Sequence, residues 1–308
     1  MNKFLYFSAA ALAGVFATSC ASDEPVAGTT DGMTTFTVQM PEDLTRTFGD
    51  GLSANQLYVA IYDADAPDKT KALPLFTNFT AGGENGMTVE KADAARTWTV
   101  KVNLVKNKAY DLVFWTENTA EGVTSPYSYN VETRTLSVSY DKMANYAEAR
   151  DAFYKHVTYK TSTPDERDIT LTRAFAQINI GTTDADLKAY KLAGGVNKFA
   201  MSIMGASTQL NLFTDAVSAP TETAVNATPA IAATVQDEEN ARESLVVNGN
   251  DYDYLAMAYV LVGADGTNRD NLTVSLYNQD IAAGVQAFAV YDNVPAQMNY
   301  RTNIFGDL

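Results

Sequence analysis

Short segments in which every second residue is apolar recur along this chain, and they leave it little choice but sheet. Phe36, Val38 and Met40 alternate with Thr35, Thr37 and Gln39, and Leu57, Val59 and Ile61 alternate with Tyr58, Ala60 and Tyr62. Trp98, Val100, Val102 and Leu104 share one side of a third segment. Side chains two apart lie on the same face of a strand, so this period buries a whole apolar set only when the backbone is extended. Residues 110–115 are instead a continuous apolar-rich run, the pattern of a strand covered on both faces. Residues 131–140 complete the set, with Leu136, Val138 and Tyr140 on one side. Gly, Pro, Asn and Asp separate these runs, and so many short strands spaced by turns predict a sandwich or barrel.

The pattern changes at residues 143–156, where Met143, Tyr146, Ala147, Arg150 and Tyr154 have the spacing of one helical face and predict a short helix. A polar, Pro-bearing stretch at 161–165 follows and is the expected break between domains. The second half opens on a strand at 171–180, with Phe175, Gln177 and Asn179 on one face and Ala176, Ile178 and Ile180 on the other. Thr183 followed by Asp186 has the form of a capping pair and Gly194-Gly195 supplies a stop, so 184–193 is predicted to be a helix. Further strands are expected at 196–204, 209–213, 254–262, 272–277, 286–291 and 300–305. Residues 220–250, rich in Ala, Thr, Asn and Glu, are expected to form a long loop with one strand at 230–235. A length of 308 residues suits two domains. We therefore expect a mainly β chain with an N-terminal domain at 33–162 and a C-terminal domain at 163–308, each carrying one short helix.

Composition removes several functions. A formal net charge of −15 repels a phosphate backbone and argues against nucleic acid as a partner. One Cys and one His exclude disulfide frameworks, Cys-based zinc sites and multi-histidine metal sites. His156 has serines nearby in sequence, Ser137, Ser139 and Ser162, but none sits in a Gly-x-Ser-x-Gly elbow, so a surface or helix-end histidine is expected. The acidic runs Asp63-Ala64-Asp65-Ala66-Pro67-Asp68 and Asp251-Tyr252-Asp253 hint at calcium, yet neither has the glycine the loop requires at its place, which favours acidic hairpin turns. No catalytic residue, metal ligand or cofactor is assigned. Among 17 tyrosines most fall in strand patterns, where cross-strand packing accounts for them. Tyr127 and Tyr129, beside Pro126 in an expected loop, are the exceptions that suit an exposed carbohydrate platform or partner surface.

The N-terminus carries an address. Lys3 precedes a short apolar run at 4–16, and Ala17-Thr18-Ser19 leads to the single cysteine, Cys20. This resembles the lipobox of bacterial lipoproteins, which implies a signal peptide at 1–19, lipidation of Cys20 and a flexible linker over 20–32. Ser22-Asp23-Glu24 is similar to the acidic signal that sends Bacteroidetes lipoproteins to the cell surface, and the implied location is the outer face of the outer membrane.

Four longer segments resemble the fimbrillins of Bacteroidetes, the subunits of type V pili, and their lipoprotein relatives. They are residues 50–63, which include Asp50-Gly51-Leu52-Ser53, and Arg150-Asp151-Ala152-Phe153-Tyr154, which looks like a mid-chain helix. The others are Leu171-Thr172-Arg173-Ala174-Phe175 with its continuation to Asn179, and Asn293-Val294-Pro295 with 299–304. The resemblance implies two β-sandwich domains of transthyretin-like, Greek-key type, no enzymatic activity, and assembly with other fimbrial subunits by strand exchange. It makes Arg46 the expected protease site, with Phe36, Val38 and Met40 on the strand to be exchanged. Otherwise that segment is a permanent edge strand. Shaft subunits often carry donor strands beyond the segment matching 300–304, and this sequence ends at Leu308. That leaves a missing donor, an anchor, cap or accessory role, or an incomplete sequence. The leading expectation is a fimbrial subunit or accessory adhesin that meets a host glycan or protein. The alternative is a monomeric, surface-exposed glycan-binding lipoprotein, which would show clustered aromatics on one rim.

Overall fold

The computed structural model describes residues 33–41, 54–69, 72–80, 86–92, 96–119, 124–140, 151–163, 167–195, 199–220, 225–227, 245–263, 270–278, 281 and 284–306. Strand β1 (Thr34–Gln39) lies inside a four-stranded sheet, antiparallel to β5 (Thr97–Val102) and parallel to β10 (Asp168–Thr170), with β4 (Met87–Lys91) outside β5. A second sheet runs in the order β11 (Thr172–Arg173), β9 (Phe153–Lys160), β6 (Ala109–Glu117), β2 (Gln56–Asp63), β3 (Phe76–Thr77). The alternating side chains of β1, β2 and β5 face one another across these two sheets. Phe36, Val38, Leu57, Val59, Ile61, Val100 and Val102 are all fully buried in one core cluster.

The second half repeats the plan. One sheet runs β16 (Leu245–Val247), β17 (Asn250–Val260), β12 (Ala176–Thr182), β20 (Arg301–Phe305). The other runs β15 (Val225–Ala227), β13 (Ala200–Met204), β18 (Asp270–Tyr277), β19 (Ala289–Ala296). Ile178, Ile180, Met201, Ile203, Ala258, Val274 and Leu276 form the core between them. Helix α1 (Asp184–Leu192) packs Leu187 into that core. Its N-cap is Thr183, whose hydroxyl accepts the backbone N–H of Asp186, as the sequence predicts. Among the described residues no helix is long and apolar enough to cross a membrane.

A third, three-stranded sheet joins the halves, pairing the hairpin β7 (Tyr127–Asn130) and β8 (Thr135–Val138) with β14 (Gln209–Asn211). It covers the outer face of the second sheet. That is why β6 reads as one apolar run: every residue after Ala109 is buried, Leu112 and Phe114 into the first core and Val113 and Trp115 into a cluster shared with Tyr259, Met257 and Leu210. The expected boundary at 162/163 falls between β9 and β10, and the two short strands that follow it pair back with the first half, β10 with β1 and β11 with β9.

Three local expectations change. Residues 153–156 are not helical but begin β9, because Phe153 enters the first core and Tyr154 the shared one, an alternation that only a strand satisfies; residues 141–150 lie outside the described ones. Tyr127 and Tyr129 lie on a strand rather than in a loop and are half-buried against the shared cluster. The expected loop at 220–250 contains β15 and β16, while 230–235 falls outside the described residues.

Candidate functional site

Three features of this fold are candidates for function: the slot that β1 fills, an aromatic-lined cavity and a buried ion pair. The first is the slot occupied by β1. Phe36 and Val38 are 0% exposed and Met40 3%, and the Phe36 ring meets Tyr159 edge-on at 5.0 Å. The backbone of β1 is paired on both sides: Thr34 to Gln39 run against Val102 to Thr97, and Thr37 to Gln39 beside Asp168 to Thr170. Two further bonds extend this pairing, Thr37 N–H to Arg167 C=O at 2.8 Å beside β10 and Met40 N–H to Arg96 C=O at 2.9 Å just past the end of β1. β1 is therefore an interior strand, not a permanent edge strand, because β10 returns to cover its open side.

The second place is a cavity of about 310 Å³ over the outer face of β2 and β6. Tyr58 of β2 lies opposite Trp115 of β6, and both rings point away from the first core. Phe79, just after β3, stacks on Tyr58 at 5.3 Å and meets Tyr129 at 4.2 Å. Tyr127 stands edge-on to Trp115 at 5.1 Å. Among these rings lies one carboxylate, Glu117, 3% exposed, whose Oε2 accepts the indole N–H of Trp115 at 3.0 Å. Burial, then the Glu117 charge, push the Tyr58 phenol above its ordinary range. Tyr62 O–H donates to the Val131 carbonyl at 2.9 Å and lies 3.1 Å from the Tyr129 hydroxyl, so the Tyr129 ring is held in place.

Between the halves, Arg173 and Asp151 form a bidentate pair, with Nε to Oδ1 at 2.8 Å and Nη2 to Oδ2 at 2.9 Å. Both side chains are at most 5% exposed. Burial pushes the Asp151 carboxyl up, and the Arg173 charge opposes that shift.

A family model covering residues 27–308 matches this chain, that of a family of unknown function, DUF6562. The chain belongs to DUF6562. Among solved structures, a candidate adhesin from Bacteroides ovatus matches at 11% identity over 97% of this chain and 98% of its own, with a TM-score of 0.40. A candidate cell adhesion protein from Bacteroides uniformis matches at 13% identity over 91% and 94%, with a TM-score of 0.41. A second candidate adhesin from Bacteroides ovatus matches at 9% identity over 89% and 88%, with a TM-score of 0.43. No curated protein matches the chain.

In this DUF6562 chain the sequence-predicted residues are scattered. Phe36, Val38 and Met40 line up in one slot. Cys20 and Arg46 lie outside the described residues. His156 is neither on an open surface nor at a helix end: it sits mid-strand in β9, stacked on Phe213 at 4.3 Å, with Nε2 3.4 Å from Asp111 Oδ1. It also borders a cavity of about 300 Å³ with Tyr154 and Asp215, whose side chains are joined by a 2.8 Å hydrogen bond. The acidic turn at 63–68 is satisfied internally, since Asp65 N–H donates to Asp63 Oδ1 and Ala109 N–H to Asp65 Oδ2. Among the described residues no group of three or more His, Cys, Asp or Glu side chains is placed to hold a metal. The sequence reading missed Phe79 and Glu117. The only signal in reach was the second face of β2 and β6, where Tyr58, Trp115 and Glu117 share the period opposite to the core set.

The His156 contact has a consequence in acid. His156, then the 2.6 Å bond from Thr158 O–H, hold the Asp111 carboxyl below its ordinary range against the opposing effect of burial. A carboxyl lowered by folding stabilises the fold above its unfolded pKa, and that contribution is lost as pH falls through the folded value. Asp111→Asn is therefore expected to be less stable than wild type at pH 6 and to converge with it below about pH 3, the region under the unfolded Asp value. Urea unfolding at both pH values reads this directly, and a gap of constant size would count against it.

Proposed function

We propose that this chain is a non-enzymatic cell-surface fimbrial subunit or accessory adhesin, held in the outer membrane by lipid on Cys20 and assembling with other subunits by exchange of β1. In this reading residues 33–162 and 163–308 are its two domains, and the first is the acceptor. The observation that carries it is the position of β1. A strand at the start of the described chain sits between two neighbours and fills a slot with Phe36, Val38 and Met40. If it leaves, β5 and β10 each present an unpaired edge beside an apolar groove, which is what strand addition needs. Cleavage at Arg46, C-terminal to β1, would free that strand.

The test is brief treatment of wild-type and Arg46→Ala protein with an arginine-specific protease, followed by sizing in detergent. Loss of the N-terminal segment with growth of detergent-resistant ladders in wild type alone is the expected result. Clean cleavage at Arg46 that leaves a monomer would end the self-assembly reading and leave an anchor or accessory role. The aromatic cavity supports a second reading, that of a monomeric glycan-binding lipoprotein.

A further inference from the structure

We propose that the cavity bordered by Lys155, Asp215, Gln297, Asn299 and Tyr300 holds one neutral pyranose ring at the end of a glycan. This deepens the second reading above and rests on it, but places the sugar at a different site and does not depend on strand exchange. Three segments meet here: β9, the turn after β14 and the turn between β19 and β20. The volume, about 300 Å³, falls at the small end of ligand pockets and suits a single sugar ring.

The polar side chains of this cavity are uncommitted. Among the described residues, those of Lys155, Gln297 and Asn299 make no hydrogen bond or ion pair. Asp215 uses only Oδ1, which accepts the Tyr154 O–H at 2.8 Å. The Tyr300 ring is 60% exposed and meets no other described ring, whereas His156 and Phe213, also at the border, are stacked on each other.

These groups decide the class. Gln297 and Asn299 each offer a donor and an acceptor in one plane, the pattern that two neighbouring sugar hydroxyls return. Lys155 and Asp215 carry opposite charges, so a ligand with a net charge is attracted by one and opposed by the other. An apolar ligand would take water from four polar side chains and return no hydrogen bond. A small zwitterion would match both charges but leave the Tyr300 face bare. That face is electron-rich and suits the axial C–H bonds of a pyranose. The frame is set beforehand: Tyr154 orients Asp215, Asn299 N–H donates to Phe175 C=O at 3.0 Å, and Gln177 N–H donates to Tyr300 C=O at 3.0 Å. Less backbone freedom is left to lose on binding.

The experiment titrates the methyl glycosides of glucose, galactose, mannose and N-acetylglucosamine into the mature chain, read by saturation-transfer NMR, with glycine as the zwitterionic comparison. At least one glycoside is expected to receive saturation from wild type. Tyr300→Leu, which removes the π face, and Asp215→Asn, which removes the charge, are each expected to weaken its binding about tenfold. Asn299→Gly is expected to weaken it as well, because glycine adopts the φ of 65° held there and only the carboxamide is lost. Unchanged thermal melts confirm that the variants fold, and if one does not, the others decide. Equal binding in wild type and all three variants overturns this site while leaving glycan binding standing. Transfer to no glycoside, or to glycine alone, overturns both.

Discussion

Replacing Arg173 by methionine is expected to cost this protein about 3–5 kcal/mol of stability at neutral pH, the range for breaking a buried ion pair from one side. Asp151 is 1% exposed and its two oxygens both receive bonds from Arg173. Without the guanidinium it is a buried carboxylate left with only the lesser support of the Ala152 backbone N–H and the Arg301 charge. The loss is a large part of the 5–15 kcal/mol that holds an ordinary domain together. It also falls where the halves meet, because Arg173 lies 5.1 Å over the ring of Phe153 in β9 and 6.0 Å over that of Tyr259 in β17. Burial already pushes the Asp151 carboxyl up, and removing Arg173 pushes it further. An acid whose folded pKa is raised favours the fold below its unfolded pKa and loses that contribution as pH rises. The deficit of Arg173→Met should therefore shrink from pH 7 to pH 4. The double variant Asp151→Leu/Arg173→Met should recover most of the loss, since an apolar pair of similar size needs no compensation. Guanidinium unfolding of wild type, Arg173→Met, Asp151→Leu and the double variant tests this. A single-variant cost under about 1 kcal/mol, or a double variant no better than the singles, would show that the pair does not hold the seam.

That pair was not legible in the sequence, although both of its partners lie in segments that resemble fimbrillin motifs. Asp151 and Arg173 are 22 residues apart, and no period connects them. What was legible is whatever a local period encodes. The alternation of Phe36, Val38 and Met40 placed them on one buried face, the unbroken run in β6 announced burial on both sides, and Thr183 with Asp186 marked the start of α1. The helix expected through Tyr154 failed because Phe153 and Tyr154 serve two cores on opposite faces, and a spacing rule cannot see that a second core exists. The cavity was hidden for the same reason. Tyr127 and Tyr129 stood out beside Pro126, but their partners Tyr58, Phe79 and Glu117 come from other strands and turns, and only the fold brings them together.

A chain lacking residues 1–41 is expected to lose most of its stability and to regain it when a peptide of residues 33–41 is supplied separately. Burying Phe36, Val38 and Met40 is worth about 1.5–3 kcal/mol each before the cost of ordering the strand, and β1 is hydrogen-bonded to neighbours on both sides. The slot is closed around these side chains: Phe36 touches Tyr159 and Phe114, and the Met40 sulfur lies 3.9 Å from the Thr116 hydroxyl. A Phe36→Ala peptide should therefore bind at least about 100-fold more weakly, since a buried Phe→Ala change costs about 3–5 kcal/mol and 1.4 kcal/mol is a factor of ten. A Thr37→Ala peptide should bind nearly as well as the native one, because that side chain lies on the opposite, partly exposed face. Anisotropy of labelled peptides gives the affinities, and thermal melts give the regained stability. A truncated chain as stable as the full one, or equal affinity for the Phe36→Ala peptide, would show that the slot does not read its strand. If the slot does read it, any strand donated by a neighbour must present apolar side chains at the same three alternate positions, because a shift by one residue would turn all three to the outer face.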